Sequence, residues 1–300
     1  MVPKICPICG DLDIKISYRA RTNSNMSSLK ASGFSSGNRS IYKCFSCTVF
    51  FCYPIPSAKE LFLAYDEEED HEFVSQNGFR YRTFQKYFSD FIEERKLNKS
   101  RVFVTDIGAA SGVFLSYLQS IGIESMGFEA SRWLVNYGKS NYNVDLRQGE
   151  VDDFCPRSNS LNVVTMWDVL EHLPNPMHSI ATLSSKNTDD SIIFLSLPST
   201  DSKTFKLLRW KWPMHLDVHL FYFNKRSLEV LFAKFGYKCI YSSHYWQRIS
   251  IGYLIYRILQ VVGMAKLSAR LSGNLTSQLA NVISVPYSVG QRIYVFERIS

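Results

Sequence analysis

Between Val102 and Leu195 the sequence alternates short apolar runs with longer amphipathic stretches, a pattern that few folds accept. Val102-Phe103-Val104, Ser125–Phe128, Asn162–Met166 and Ile192–Leu195 read as strands, while Gly112–Ile121, Ser131–Tyr137 and Met177–Leu183 read as helices. Strands that are apolar at successive residues need cover on both faces. A parallel sheet with helices above and below it supplies that cover. Upstream, Phe84, Tyr87, Phe88, Phe91 and Ile92 fall at helical spacing within Phe79–Leu97. Downstream, Lys225–Phe235 reads as a helix stopped by Gly236, and Tyr237–Tyr245 and Arg292–Glu297 as two more strands. An apolar helical insert around Ile249–Leu267 separates these two strands. Its broad face of Ile251, Leu254, Ile255, Ile258, Leu259 and Val262 suits a lid, a dimer contact, a membrane-surface helix or plain core packing. Arg257 interrupts it, and it is too short to span a bilayer, so peripheral contact is the one membrane association left open.

The first 53 residues have a different composition. Cys6-Pro7-Ile8-Cys9 and Cys44-Phe45-Ser46-Cys47 each set two thiols on a tight turn, and a polar run between Arg21 and Arg39 separates the pairs. Two facing knuckles of this kind make the four-sulfur tetrahedron that Zn²⁺ accepts. A filled sphere of four thiolates leaves no place for water, so the zinc expected here is structural. Gly10, directly after the first pair, allows the positive φ that such a turn needs. Cys52, Cys155 and Cys239 are expected to be packed thiols. Pro54-Ile55-Pro56-Ser57 reads as a linker. Residues 1–56 are therefore expected to form a zinc-ribbon-like module and 57–300 a second domain, with 57–100 a helical lead-in and 249–290 the insert. Met1–Cys6 has no apolar signal-peptide core. With seven cysteines and no export signal, the expected compartment is reducing, and the protein is read as cytoplasmic.

The stretch Val104-Thr105-Asp106-Ile107-Gly108-Ala109-Ala110-Ser111-Gly112 carries the chemistry: a strand ends in an acid, a glycine turn follows, and a helix begins. Gly108 and Gly112 let the backbone pass close to a ligand and aim amide donors at it. The spacing fails the dinucleotide fingerprint, because Ala110 and Val113 stand where that pattern needs glycine. Glu129 closes the next strand, where a carboxylate can accept hydrogen bonds from both hydroxyls of a ribose.

Together with Met166-Trp167-Asp168-Val169-Leu170-Glu171-His172-Leu173, these residues resemble the class I S-adenosylmethionine (SAM)-dependent methyltransferases over about Phe79–Phe235. The resemblance implies a Rossmann-like, doubly wound α/β fold, with a mostly parallel seven-stranded sheet whose last strand is antiparallel. It also implies cofactor-binding roles. The turn Asp106, Gly108, Ala109 and Gly112 would hold the methionine part and the ribose. Glu129 with Ala130 would meet the ribose hydroxyls, Glu150 and Val151 the adenine, and Trp167 and Asp168 the methionine end. His172 would contact the cofactor or cap the site; Glu171 also fits a plain solvated residue, and His172 a structural cap at a helix start. Glycine is frequent in the family where this chain has Ala110.

A methyl acceptor that is a hydroxyl or carbon acid needs a base, and histidine titrates in the useful range. The segment 200–224, which follows the strand Ile192–Leu195, offers His215 and His219 as bases, with Asp217 between them and Tyr222 beyond. Core packing is the alternative for each histidine. Lys203, Lys206, Arg209 and Lys211 suit a phosphate-bearing acceptor or a solvated helix face equally well. The net charge of +7 fits an anionic partner. Four-cysteine modules joined to this methyltransferase type resemble enzymes acting on nucleotide-linked sugars, so the expected acceptor is a sugar or another small molecule. RNA methylation through the zinc ribbon is an alternative, weakened by the Met-Trp-Asp-Val sequence where adenine amino-methylating enzymes carry Asn/Asp-Pro-Pro-Tyr/Phe, and by the lack of an arginine-rich stripe. A SAM-binding scaffold without turnover is a second. The atom methylated and the oligomeric state are not legible.

Overall fold

The computed structural model describes residues 3–20, 39–61, 69, 71–255 and 283–299. Its centre is a seven-stranded sheet. In chain order the strands are β4 (Val102–Ile107), β5 (Glu124–Glu129), β6 (Leu146–Gln148), β7 (Leu161–Trp167), β8 (Ile192–Pro198), β10 (Tyr237–His244) and β13 (Gln291–Arg298). In space they lie in the order β10-β13-β8-β7-β4-β5-β6. The pairings from β6 to β8 are parallel, and β13 runs antiparallel to both of its neighbours. This is the doubly wound arrangement with one reversed strand that the resemblance implied.

The apolar runs are continuous because both faces are covered. All six residues of β4 and all seven of β8 are buried. Alternate residues feed two separate cores: Val104, Val163, Phe194 and Val295 on one face, and Phe103, Val164, Leu195 and Phe296 on the other. Helix α1 (Asn77–Glu94) and helix α2 (Val113–Ser120) pack the first face through Phe84, Phe88, Phe114 and Leu118. Full burial of a side chain such as Phe88 contributes about 1.5–3 kcal/mol. The remaining helices begin at side-chain caps. Ser131 Oγ accepts from Leu134 N at 3.3 Å to start α3 (Arg132–Tyr142). Asn175 accepts from His178 N at 3.1 Å, with Pro176 as first residue, to start α4 (Pro176–Lys186). Asn224 accepts from Ser227 N at 2.9 Å to start α6 (Lys225–Ala233), which follows the short α5 (Lys203–Leu208). Among the described residues no helix is long and apolar enough to cross a membrane.

The cysteine-bearing segment forms a second sheet that borrows a strand from the main fold. β1 (Ile14–Tyr18), β2 (Ser40–Cys44) and β3 (Phe50–Tyr53) pair antiparallel, and β3 pairs onward with β9 (Phe221–Tyr222) in the register Phe50 to Tyr222. Cys52 N donates to Leu220 O at 2.8 Å, and Thr48 Oγ1 to Asn224 Oδ1 at 3.0 Å. Lys234 Nζ reaches Ile8 O at 2.9 Å. Apolar residues of this sheet belong to the same buried cluster as Phe103, Leu195 and Phe232.

The insert differs from expectation at its start. Gln247–Ser250 is a strand, β11, paired antiparallel with β12 (Ser284–Tyr287), and among the described residues 251–255 follow it as helix. Ile249 pairs with Val285, so it packs by strand register and not on a helical stripe. Residues 256–282, which carry the other half of the predicted stripe (Ile258, Leu259 and Val262), lie outside the described residues.

Helix α3 passes very close to the turn after β4. A Cβ built on Gly138 would stand 2.6 Å from the Ser111 carbonyl oxygen and 2.6 Å from Leu146 Cδ2. Gly138→Ala therefore forces the turn and helix apart, at an expected cost of about 1–3 kcal/mol. Differential scanning calorimetry should show a lower Tm; an unchanged Tm would mean that the contact is looser than drawn.

Candidate active site

The strands β4, β5, β7 and β8 all point their C-terminal ends at one cleft of about 450 Å³. Its floor is the turn after β4, where Gly108, Ala110 and Gly112 have φ of 67°, 49° and 72°. Glycine takes this region without strain, whereas Ala110 bears the cost of a side chain there, about 1–2 kcal/mol. Gly108 is also sterically required, since a Cβ would lie 2.5 Å from Val169 Cγ2. Gly108 N and Ala109 N both donate to Phe128 O, at 2.8 and 3.0 Å, tying the turn to the neighbouring strand. Glu129 completes the tie. Its Oε2 accepts from Ala110 N at 2.8 Å and its Oε1 from Ser131 N at 2.9 Å, so the carboxylate cannot rotate. Desolvation raises its pKa, and the amide bonds partly oppose the rise.

Asp106, Asp168 and Glu171 bring three more carboxyls to the same region. Asp106 is buried and accepts from Thr165 Oγ1 at 2.5 Å; burial, with the Glu129 charge adding to it, pushes its pKa up to about 8. Asp168 sits at φ 55° and accepts from Ser196 Oγ at 3.3 Å and Gln247 Nε2 at 2.9 Å, and desolvation raises it to about 6. Trp167 lines the cleft, but most of its ring lies within a cluster of Phe84, Phe114, Phe194 and Tyr245. Ala130, Glu150 and Val151 also line it. Gly149 N donates to Glu129 O at 3.0 Å, and Glu150 and Asp153 cap each other's backbone.

The structure sorts the histidine candidates. His219 lines the cleft beside Glu171 and His172, whereas His215 and Tyr222 do not. The His215 ring packs against Tyr18 and Trp210, with its Nδ1 3.0 Å from Trp210 O. Tyr222 is buried and donates to Leu216 O at 3.1 Å. His219 is oriented by Met214 O, 2.8 Å from its Nδ1, and Asp217 is not part of the lining. Glu171 is 1% exposed, so the solvated reading of that residue is corrected. His172 Nδ1 lies 3.0 Å from Val218 O, and desolvation lowers its pKa to about 4, which keeps the ring neutral. Lys203, Lys206, Arg209 and Lys211 lie outside the lining, and the cations within it are Arg80 and Arg248. Gln247, Tyr245 and Arg80 escaped the sequence reading, since no local motif announces them.

In the N-terminal sheet the four paired cysteines converge. Cys6 Sγ is 3.6 Å from Cys47 Sγ, Cys9 Sγ is 3.5 Å from Cys44 Sγ, and all four sulfurs lie within 4.8 Å of one another. A tetrahedron with Zn–S bonds of about 2.3 Å has edges of about 3.8 Å, so the donor set fits a zinc ion. Gly10 follows at φ 82°, as its turn requires. Cys52 is buried and Cys239 half-buried, but Cys155 is exposed, not packed.

Comparison with known proteins places this geometry. Ubiquinone biosynthesis O-methyltransferase of Glaesserella parasuis is 27% identical over 115 residues, covering 35% of this chain and 49% of that protein. The protein of that name from Actinobacillus pleuropneumoniae is 21% identical over 129 residues, covering 40% and 55%. The chain thus spans about half the length of the curated relatives it matches. Among solved structures, a SAM-dependent methyltransferase from Archaeoglobus fulgidus superimposes with a TM-score of 0.49 at 14% identity, covering 76% of this chain and all of that one. Magnesium protoporphyrin IX methyltransferase from Synechocystis with bound SAH gives 0.48 at 13% identity, covering 78% and 90%. Residues 79–242, more than half of the chain, match the family model described as a methyltransferase domain, and the chain belongs to that family.

Proposed function

We propose that the chain transfers a methyl group from SAM to a small-molecule acceptor, and we take the accepting atom to be a hydroxyl oxygen on the strength of the O-methyltransferase names of its curated relatives. One observation carries this reading: the Glu129 carboxylate is fixed by two backbone amides directly above a turn that only small residues can form. A fixed acceptor of that kind suits the paired hydroxyls of a ribose. SAM supplies an electrophilic methyl group on a sulfonium. The protein's part is to bind, orient and manage a proton. Asp106 and Asp168 offer carboxylates to the cofactor's ammonium group, and Val151 offers apolar surface to the adenine. Phe84, Trp167 and Tyr245 exclude water from the methionine end. Glu171, His172 and His219 form the polar face where the acceptor hydroxyl gives up its proton, with His219 as the base assigned from sequence.

A sugar or nucleotide-linked sugar remains the acceptor class we favour. Its support is the pairing of a four-cysteine module with this domain, together with Arg80 and Arg248 in the cleft lining, where an anionic group can be met. A structural zinc in the four-cysteine centre has a supporting role under this proposal. It fixes the sheet whose β3 edge holds β9, and so the segment that ends in His219 and Leu220.

Three outcomes test the reading. Glu129→Ala should weaken S-adenosylhomocysteine (SAH) binding about 10–100-fold in calorimetry, the worth of one or two charge-assisted hydrogen bonds. Unchanged affinity, or heat with a nicotinamide nucleotide instead, would remove the cofactor assignment.

The second outcome concerns pH. The folded pKa of Asp106, about 8, lies above its ordinary value of 3.8. The native ligand-free protein therefore holds a proton that the unfolded chain releases. This contribution to stability is complete below about pH 4 and is lost as pH rises toward 8. An ammonium group beside Asp106 and Asp168, such as that of SAH, favours their ionised forms, so SAH affinity should rise between about pH 6 and 8, and Asp106→Asn should flatten that rise. Third, elemental analysis of the purified chain should find zinc that Cys47→Ser loses, with a fall in Tm of at least about 5 °C. Zinc content and Tm that survive the substitution would refute the centre.

A further inference from the structure

Glu171 poses a problem that hydrogen bonding within the chain does not solve. It lies in the single 3₁₀ turn Leu170–His172, almost fully buried, and among the described residues neither carboxylate oxygen has a hydrogen-bond partner. The backbone leaves the side chain no escape. Glu171 O accepts from Leu220 N at 2.8 Å, and His172 N donates to Val169 O at 2.9 Å, so the turn is fixed against the segment that carries His219. A buried carboxylate held this way requires a compensating positive charge or a proton.

The two neighbouring imidazoles are prepared in a specific sense. His172 Nδ1 stands 3.0 Å from Val218 O, and His219 Nδ1 2.8 Å from Met214 O. A carbonyl oxygen only accepts, so each Nδ1 carries the ring proton and each neutral ring keeps its lone pair on Nε2. The ring centroids are 4.8 Å apart, nearly perpendicular. One ligand atom from each of Glu171, His172 and His219 can be chosen so that all three lie within 4.8 Å of one another, and all three residues line the cleft. Backbone carbonyls that fix the tautomer are the outer partners that metal-binding histidines use.

We propose that Glu171, His172 and His219 form a binding site for a divalent transition-metal ion on the acceptor side of the cleft, distinct from the four-cysteine centre. Two imidazoles and one carboxylate suit Mn²⁺, Fe²⁺, Co²⁺ or Zn²⁺, and three protein ligands leave coordination positions open to acceptor oxygens. What the ion does rests on the methyl-transfer reading, although its binding does not. A hydroxyl bound to the cation gives its proton to water more readily. Its oxygen then forms the C–O bond as the C–S bond breaks with its electron pair left on sulfur, and the ion keeps its oxidation state. His219 thereby acts as a ligand, and the ion does the work first assigned to a base.

The test is titration of the full-length chain, brought to one zinc per chain so that the four-cysteine centre alone is filled, with Mn²⁺, free Mn²⁺ being followed by electron paramagnetic resonance. One Mn²⁺ per chain should bind, and Glu171→Gln and His219→Gln should each weaken it by at least about tenfold, while four-cysteine zinc is retained. Retained zinc and native Tm identify a folded variant, and His172→Gln replaces any variant that fails them. No Mn²⁺ or Co²⁺ binding by the wild-type chain, or equal binding by the variants, overturns the site. SAH calorimetry on the same samples separates the two readings. SAH binding without metal leaves methyl transfer standing and removes this site; metal binding without SAH does the reverse.

Discussion

The hydrogen bonds from Ala110 N and Ser131 N to the Glu129 carboxylate join the turn after β4 to a junction 19 residues further along the chain, where β5 ends and α3 begins. Without them the turn would rely on Gly108 N and Ala109 N alone, and Ala110 would have little reason to hold a left-handed backbone. A charged acceptor compensates that strain because its bonds to amides are stronger than neutral ones. The close passage of Gly138 against Ser111 O adds a steric wall behind the same turn. Rigidity there is what a cofactor site needs, since affinity is lost whenever binding must first order the receptor.

Much of this was legible in the sequence, for physical reasons. Continuous apolar runs need cover on both faces, so β4, β5, β7 and β8 followed in order without knowledge of contacts, whereas the three-residue β6, with Leu146 alone buried, carries no such run. Asp106 and Glu129 were legible because an acid at the end of a parallel strand has one place to go, the edge where the strands stop. The cysteine pairs were legible from spacing. Other features depend on partners remote in sequence. β9 is two residues long and exists because β3 lies beside it. Gln247 reaches Asp168 only because β11 is held by β12. Glu171 next to a histidine at a helix start reads as solvated until Leu220 closes over it.

The two histidines of the segment 200–224 show most clearly where spacing stops being informative. Each makes the same local bond, from Nδ1 to the carbonyl five residues earlier, Trp210 for His215 and Met214 for His219. Locally they are indistinguishable, and four-residue spacing invites the thought that they share a face. Spacing of that kind has meaning only on a helix, and this stretch is a chain of tight turns. One ring therefore goes into the aromatic packing beneath β1 and the other into the cleft.

Leu220 deserves a last consideration because its two backbone groups face opposite ways: its amide holds Glu171 O, and its carbonyl holds Cys52 N. A single residue thus links the cysteine-bearing sheet to the Glu171 turn that lines the cleft. Chain length on either side of that residue is therefore frozen, since one added residue would break the register with β3 and uncover the carboxylate together.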